Sequence, residues 1–527
     1  SNFSSGTMSR VSTDQEQQMD AQNPGHQTLG RTRFISRRKN RVVRTFVLPC
    51  FRHFSNTMTS VASDPRTLLA APNPAENPFV VDRKNSTWTN KSDAFTVATT
   101  NFERQFSHIY AKRLEALKPR LQERMNSVWP NTTLAPRIID LASGEQEWMC
   151  AGTLYKNMSG KPCVLDEFTE QAILQGLPGP KENYASEEDS LILEDDTGRV
   201  SLTMSEGCNL KVEHLVTGVT VGVRGTVTDS GEILVEEMCV ADLPVEQHEL
   251  PSIESSCYVL LLSGLSIGTE GQVGRLQIQL LTDYLSGHLG SPAEQEKVWK
   301  HISRVIVCGN TLAVPVPSDD HESISRDQQD LLAAPLRVAD SVLGQIARSV
   351  PIDIMPGATD PSNVNLPQQP LHEVLLPFTS SFKNNCARVT NPYRAEVDGV
   401  ELLGHSGQPV DDIKKCTSFT KEIDILEQTL RWQHLAPTAP DTLACYPFYK
   451  RDPFVMKNSC PHVMFTGNAP SYDTRLVVGE KGQKVRLIAV PSFSATNAAV
   501  LLNLQTLEPT PINFSVNFDG SAASEEA

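Results

Sequence analysis

Cys257-Tyr258-Val259-Leu260-Leu261-Leu262-Ser263-Gly264-Leu265 is an uncharged apolar run that ends at Ser263-Gly264. It lacks the alternation of a strand with one wet face, so it reads as a strand buried on both sides. Downstream, Leu276 to Leu285 reads as a helix and Val305-Ile306-Val307-Cys308 as a second buried strand. Leu331, Leu332, Leu336, Ala339, Val342, Leu343 and Ile346 form a helical stripe, and Val350-Pro351-Ile352-Asp353-Ile354 a third strand. Strand alternating with helix predicts a layered α/β domain over 255–510, completed near Val463-Met464-Phe465 and Val485 to Val490. Upstream, 136–248 reads as short strands: Ile138-Ile139, Met149 to Tyr155, Leu191 to Leu202 around a turn, Leu215 to Val227, and Glu232 to Glu237 after Asp229-Ser230-Gly231. About five such strands with Gly-marked bends predict an OB-type β-barrel. These strands carry few aromatics and several acids, among them Glu194, Asp195, Asp196, Glu236 and Glu237. That favours protein contact over single-stranded nucleic acid, which wants aromatic platforms in a basic groove.

Before the barrel, 94–135 predicts a helical segment. Phe102, Phe106, Ile109, Tyr110, Leu114, Leu117 and Leu121 recur at helical spacing, and Pro119 should end or kink the helix. Residues 1–93 are polar and aperiodic, the composition of a disordered arm. Within them, 31–53 holds eight Lys or Arg and no acid. Three readings stand for it: a nuclear-localisation or nucleic-acid patch, a transit sequence, or a stretch outside the natural coding frame. Residues 511–527 read as an acidic tail.

The 527 residues carry a formal net charge of −15, which argues against a protein that coats DNA by itself. The eleven cysteines are scattered with no C-x-x-C pair, as for reduced thiols in a cytosolic or nuclear protein rather than a zinc knuckle. No apolar run reaches the length of a membrane span, and Ser1 to Arg10 lacks the apolar stretch of a secretion signal.

In layered α/β domains, chemistry sits on loops past the strands' C-terminal ends. Here these are Ser263-Gly264-Leu265, Gly309-Asn310, Pro356-Gly357-Ala358-Thr359-Asp360, Gly404-His405 and Gly467-Asn468-Ala469-Pro470. Their order resembles calcineurin-like metallophosphoesterases, which hold two metal ions on Asp-x-His, Gly-Asp, Gly-Asn-His-Asp/Glu, a lone His and Gly-His-x-His. The resemblance implies that Ser263 and Leu265 replace Asp and His, that Asn310 replaces Asp, and that Ala358 and Thr359 replace Asn-His. Asn468 and Pro470 replace two further histidines; Asp360 and His405 remain. One carboxylate, one imidazole and one amide are too few for a two-metal centre. The expectation is a degenerate site with no catalytic or metal-binding residues and no cofactor.

Longer stretches sharpen the resemblance. Met355 to Asn363, Leu366-Pro367-Gln368-Gln369-Pro370-Leu371-His372, Val389-Thr390-Asn391-Pro392-Tyr393, Leu403 to Gln408, His434 to Lys450, Cys460-Pro461-His462-Val463 and Phe106 to Leu114 together resemble the B-subunit family of the replicative DNA polymerases, in its delta branch. The resemblance runs from about 94 to 505. It implies a non-catalytic nuclear subunit with an OB domain beside an inactive phosphodiesterase domain. It also implies a scaffold joining the catalytic subunit, through its cysteine-rich C-terminal module, to a third accessory subunit. Such a complex works with the sliding clamp, with weak or indirect DNA contact and no membrane. Two competing readings are a metal-dependent phosphodiesterase or 3′–5′ nuclease, which the replaced ligands disfavour, and a single-strand DNA-binding OB protein, which the acidic balance disfavours. The Pro-rich stretches Leu366 to Leu371 and Ala436 to Pro447 read as surface cover or partner-docking loops, and His462 as a packed side chain.

Overall fold

The computed structural model describes residues 83–161, 183–208, 210–253, 255–268, 275–290, 296–314, 326–456 and 459–514, with side chains from 333 in the 326–349 helix. The basic stretch at 31–53 lies outside the described residues, as do Leu331 and Leu332 as side chains.

The chain enters as a strand, β1 (Trp88–Asn90), followed by a long helix, α1 (Ser107–Val128). The barrel strands come next: β2 (Thr133–Leu134), β3 (Gly144–Asn157), β4 (Ser190–Glu194), β5 (Arg199–Met204), β6 (Thr220–Val227) and β7 (Ile233–Cys239). They pair in the order β2-β3-β4-β5-β7-β6, and β3 also pairs with β6, which closes β3 to β7 into the five-stranded barrel expected of an OB fold. Alternate residues fill it, among them Leu191 and Leu193 on β4 and Val221 and Val223 on β6.

After the barrel, a first mixed sheet forms from β8 (Tyr258–Leu262), β9 (Ile302–Cys308), β10 (Ile352–Met355) and β11 (Cys386–Arg388). Helices α2 (Arg275–Leu285) and α3 (Arg326–Ser349) cross between these parallel strands. The second sheet takes β12 (Tyr393–Val397), β13 (Val400–His405), β14 (Val463–Ala469), β15 (Asp473–Val478) and β16 (Lys484–Pro491), with α4 (Gln408–Lys415) and α5 (Glu422–Arg431) after β13. The chain then returns to the first sheet as β17 (Ala498–Asn503) and β18 (Pro509–Asn513). The orders are β11-β10-β9-β8-β17-β18 and β1-β12-β13-β14-β16-β15.

The apolar run on β8 is explained by where its two faces point. Val259 and Leu261 enter a core between the sheets, with Ile306, Leu402, Phe465 and Ile488, whereas Leu260 and Leu262 enter a second core under α2 and α3 with Leu281, Leu343 and Ile346. On the far side, Ile423, Leu426 and Leu430 of α5 cover Met464 and Leu487. The barrel meets this body through Val410, Ile413 and Trp432, which share its core.

Several sequence expectations need correction. The helix does not end at Pro119 but runs on to Val128. Its missing N–H costs about 3 kcal/mol. Beyond it, Leu121, Met125 and Trp129 bury against Met149 and Ala151, and such side chains contribute about 1.5–3 kcal/mol each, which outweighs the loss. Phe102 and Phe106 precede the helix and are exposed. Ile138-Ile139 is a 3-10 turn, not a strand, because Asp195 and Thr197 side chains accept the two backbone N–H groups a ladder would use.

The arm assigned to 1–93 overlaps β1, which pairs antiparallel with β12. Trp88 fixes it there: its indole N–H donates to the Tyr393 hydroxyl (2.9 Å), which donates to Asp353 (2.7 Å), and the Arg304 guanidinium lies 4.4 Å from the Trp88 ring centre. The tail assigned from 511 likewise overlaps β18, and Phe514 is buried on Phe493. The Pro-rich stretches reach into the core: Leu366, Leu371, Ala436, Ala439 and Cys445 are buried, while Pro370 and Ala444 stay exposed. His462 is packed as expected, accepting from Glu401 N and donating to His248 O.

One buried charge spans three parts of the fold. Arg113 of α1 donates to Asp452 (2.8 Å), to Gly218 O at the barrel (3.0 Å) and to Pro437 O and Ala439 O (2.7 Å each). Removing one partner of a buried pair strands the other charge, at about 3–5 kcal/mol. Arg113→Ala should therefore lower the free energy of urea unfolding by about 3–5 kcal/mol. Arg124→Ala, which removes a partly exposed partner of Glu480, should cost within about 1 kcal/mol.

Candidate functional site

β8, β9 and β10 run parallel in one sheet and β13, β14 and β16 in the other, so the loops past their C-terminal ends can meet. They do meet, closely. Gly264 N donates to Gly309 O (3.0 Å), and Asn468 donates through its side chain to Ser406 O (2.7 Å) and through its backbone N–H to the Ser263 hydroxyl (3.0 Å). A Cβ on Gly309 would fall 2.5 Å from Ser406 and 2.9 Å from the Gly357 backbone, so the approach requires glycine there.

The residues singled out in the sequence mostly come together, and the loops spend them on one another. Ser263 is buried, and its hydroxyl donates to Pro491 O (2.9 Å). Leu265 packs into the apolar core beneath α2 and α3. Asn310 adopts a left-handed backbone (φ 53°), as Asn tolerates, and its side-chain oxygen accepts from Thr359 N (3.3 Å). Thr359 donates its hydroxyl to Leu312 O (2.6 Å). Asn468 is left-handed too (φ 59°). Ala358 and Pro470 are exposed.

Asp360 is buried and accepts three backbone N–H groups, from Gly357 (2.8 Å), Leu312 (3.0 Å) and Thr311 (3.2 Å). Burial raises its pKa against the opposing pull of those donors. His405 is fully buried, and its Nδ1 accepts from Gly407 N (3.2 Å), which puts the neutral ring's proton on Nε2. Desolvation lowers its pKa to about 3. The carboxylate thus clamps two loops and the imidazole stays neutral. Among the described residues, no three His, Cys, Asp or Glu side chains gather so as to hold a metal ion.

A neighbouring amide network was not among the singled-out positions. Asn391 donates to Gln368 and to Ser406 (2.8 Å each) and accepts from Ser406 N (3.1 Å). Gln368 passes this on to Gly357 O (3.0 Å), and Gln408 donates to Gln368 (3.0 Å). All four residues lie within the stretches quoted for the resemblance. Amides at unrelated spacing gave no chemical signal by themselves.

Two family models match the chain. One described as the OB-fold domain of the DNA polymerase delta subunit covers residues 105–238, and one described as the DNA polymerase alpha/epsilon B-subunit covers 259–474. The chain is 40% identical over 441 residues to a DNA polymerase delta small subunit of Arabidopsis thaliana, covering 84% of this chain and 98% of that one. It is 31% identical over 474 residues to the DNA polymerase delta small subunit of Saccharomyces cerevisiae, covering 81% and 93%. A DNA polymerase II small subunit of Archaeoglobus fulgidus is 22% identical, covering 54% of this chain and 56% of that one.

The buried neutral His405 has a pH signature. Its folded pKa of about 3 lies below the unfolded value of about 6.5, so below pH 6.5 the unfolded chain binds the extra proton. Stability from this group is complete above pH 6.5 and declines by about 1.4 kcal/mol per pH unit below it. His405→Asn lacks that contribution. Urea titrations at pH 7.5 and 5.0 should show wild type losing about 2 kcal/mol more than the variant over that interval. Equal losses would mean that His405 is protonated in the fold.

Proposed function

The chain belongs to the family of DNA polymerase delta small subunits, and from that premise we propose that it works without chemistry of its own, as the scaffold of the polymerase complex. It is an accessory subunit of DNA polymerase delta, and the enzyme activity belongs to the catalytic subunit. In the proposed role it grips the cysteine-rich C-terminal module of the catalytic subunit, carries a third accessory subunit, and acts in the nucleus beside the sliding clamp. Contact with DNA is secondary to contact with protein.

The carrying observation is the fate of Asp360. Two metal ions need several carboxylates and imidazoles around them; here no three such side chains gather among the described residues, and the carboxylate of Asp360 accepts three backbone N–H groups. Ser263, Asn310 and Thr359 are similarly committed to neighbouring loops. We read the layered domain as a phosphodiesterase-like body whose catalytic loops have become internal cement. No helix among the described residues is long and apolar enough to cross a membrane.

Two measurements on one preparation test the reading. Co-expressed with the cysteine-rich C-terminal domain of a delta catalytic subunit, the full chain should elute as a one-to-one complex, and it should release no product from a phosphodiester in manganese. Asp360→Ala should strip partners from three buried donors and lower unfolding stability by about 2–5 kcal/mol. Manganese-dependent hydrolysis that disappears in Asp360→Ala would instead make the chain an enzyme.

A further inference from the structure

We propose that the surface built by residues 101–108 and 446–451 binds single-stranded nucleic acid, a function beyond the accessory role and argued independently of it. Four aromatic side chains are exposed among the described residues: Phe102 (61%), Phe106 (42%), Tyr449 (51%) and Phe378 (46%). Three of the four stand on this surface; Phe378 packs edge-on against Phe382. Open aromatic rings are costly unless something covers them.

The rings are held from behind. Phe102 meets Tyr446 edge-on at 5.4 Å, Tyr446 meets Phe448 at 5.1 Å, and Phe448 rests on buried Phe454. The Tyr446 hydroxyl accepts from Asn101 N (2.7 Å) and donates to Thr99 O (3.1 Å), which pins the segment before α1 to the loop. His108 meets Tyr449 at 4.7 Å. The platform is therefore preformed.

Its charge is opposite to that of the chain. The Arg104 guanidinium lies 5.7 Å from the Tyr449 ring centre, and Lys450 and Arg451 follow Tyr449 directly. Arg451 donates to the carbonyls of Asp93 and Ala94, which leave its charge unneutralised. Arg104, Lys450 and Arg451 have no carboxylate within ion-pair distance among the described residues, unlike Arg113, Arg224 and Arg304 but like Arg83 and Arg486, which bond to carbonyls. Lys112 beside them is bonded to Glu115, and Glu103 is the one acid in the two stretches. In a chain of net charge −15, this is a local site for a polyanion.

The aromatic component selects the polyanion. An unpaired base can stack on an exposed ring while cations take its phosphates, and stacking is tolerant of sequence. A duplex keeps its bases stacked internally, and an acidic peptide has nothing for the rings.

Fluorescence anisotropy of a labelled oligothymidine with the full chain tests this. The Phe102→Ala/Tyr449→Ala double variant should bind about tenfold more weakly or worse. Arg104→Glu/Lys450→Glu/Arg451→Glu should reduce the slope of log affinity against log salt by about 2. A duplex oligonucleotide should not distinguish wild type from the double variant. The basic stretch at 31–53 is common to every variant and cancels. Wild-type affinity in both variants, with melting temperatures unchanged, would overturn the proposal. Competition by polyglutamate with the same sensitivity to both variants would also overturn it, in favour of an acidic-peptide surface.

Discussion

A single guanidinium, that of Arg113, holds the molecule together at the point where helix, barrel and layered domain meet. It is fully buried, so its desolvation must be offset locally. The offset is complete in kind: one carboxylate, Asp452, and three carbonyls, one from the barrel and two from the Pro-rich segment. Gly218 makes this contact feasible, since a Cβ there would sit 2.0 Å from Pro437 O and 2.4 Å from the guanidinium. At the same carboxylate oxygen, His434 donates through Nε2 (2.8 Å) while its Nδ1 accepts from Ala436 N (3.2 Å). Burial raises Asp452, but His434 and Arg113 outweigh burial and keep it ionised well below the usual range. Desolvation together with Arg113 lowers His434 to about 4. The result is one charge pair braced by a neutral ring at the point where helix, barrel and Pro-rich segment meet.

The same economy governs the loop cluster. Buried polar atoms as a rule find a partner, and in this cluster His405 Nε2 and Asn468 Oδ1 are exceptions. A metalloenzyme can satisfy such atoms with ions; in this chain Asp360, Ser263, Asn310 and Thr359 satisfy theirs with backbone from adjacent loops. The amide network of Asn391, Gln368 and Gln408 continues the stitching to the end of β13.

How much of this was legible in the sequence follows from which interactions are local. Continuous apolar strands such as Cys257 to Leu262 announce burial on two faces, and the structure supplies both faces. The barrel strands were visible from their turns. Pro119 misled because local backbone chemistry was outvoted by the side chains beyond it. β1 was invisible because three residues gain strand character only from β12, hundreds of residues away in the chain. The Pro-rich stretches looked like surface because proline is usually exposed, yet here they build core with Leu435, Ala439 and Cys445. At the loops, the residue identities could be read but not their partners, because hydrogen bonds across two sheets leave no spacing in the sequence.

Loops spent on one another should no longer take metal. Electron paramagnetic resonance of manganese titrated into the full chain measures this directly, because bound manganese loses the sharp six-line signal of the free ion. The expected signal rises in proportion to added manganese, with and without protein. One or two equivalents withdrawn from the signal by wild type, and returned by His405→Asn, would contradict it.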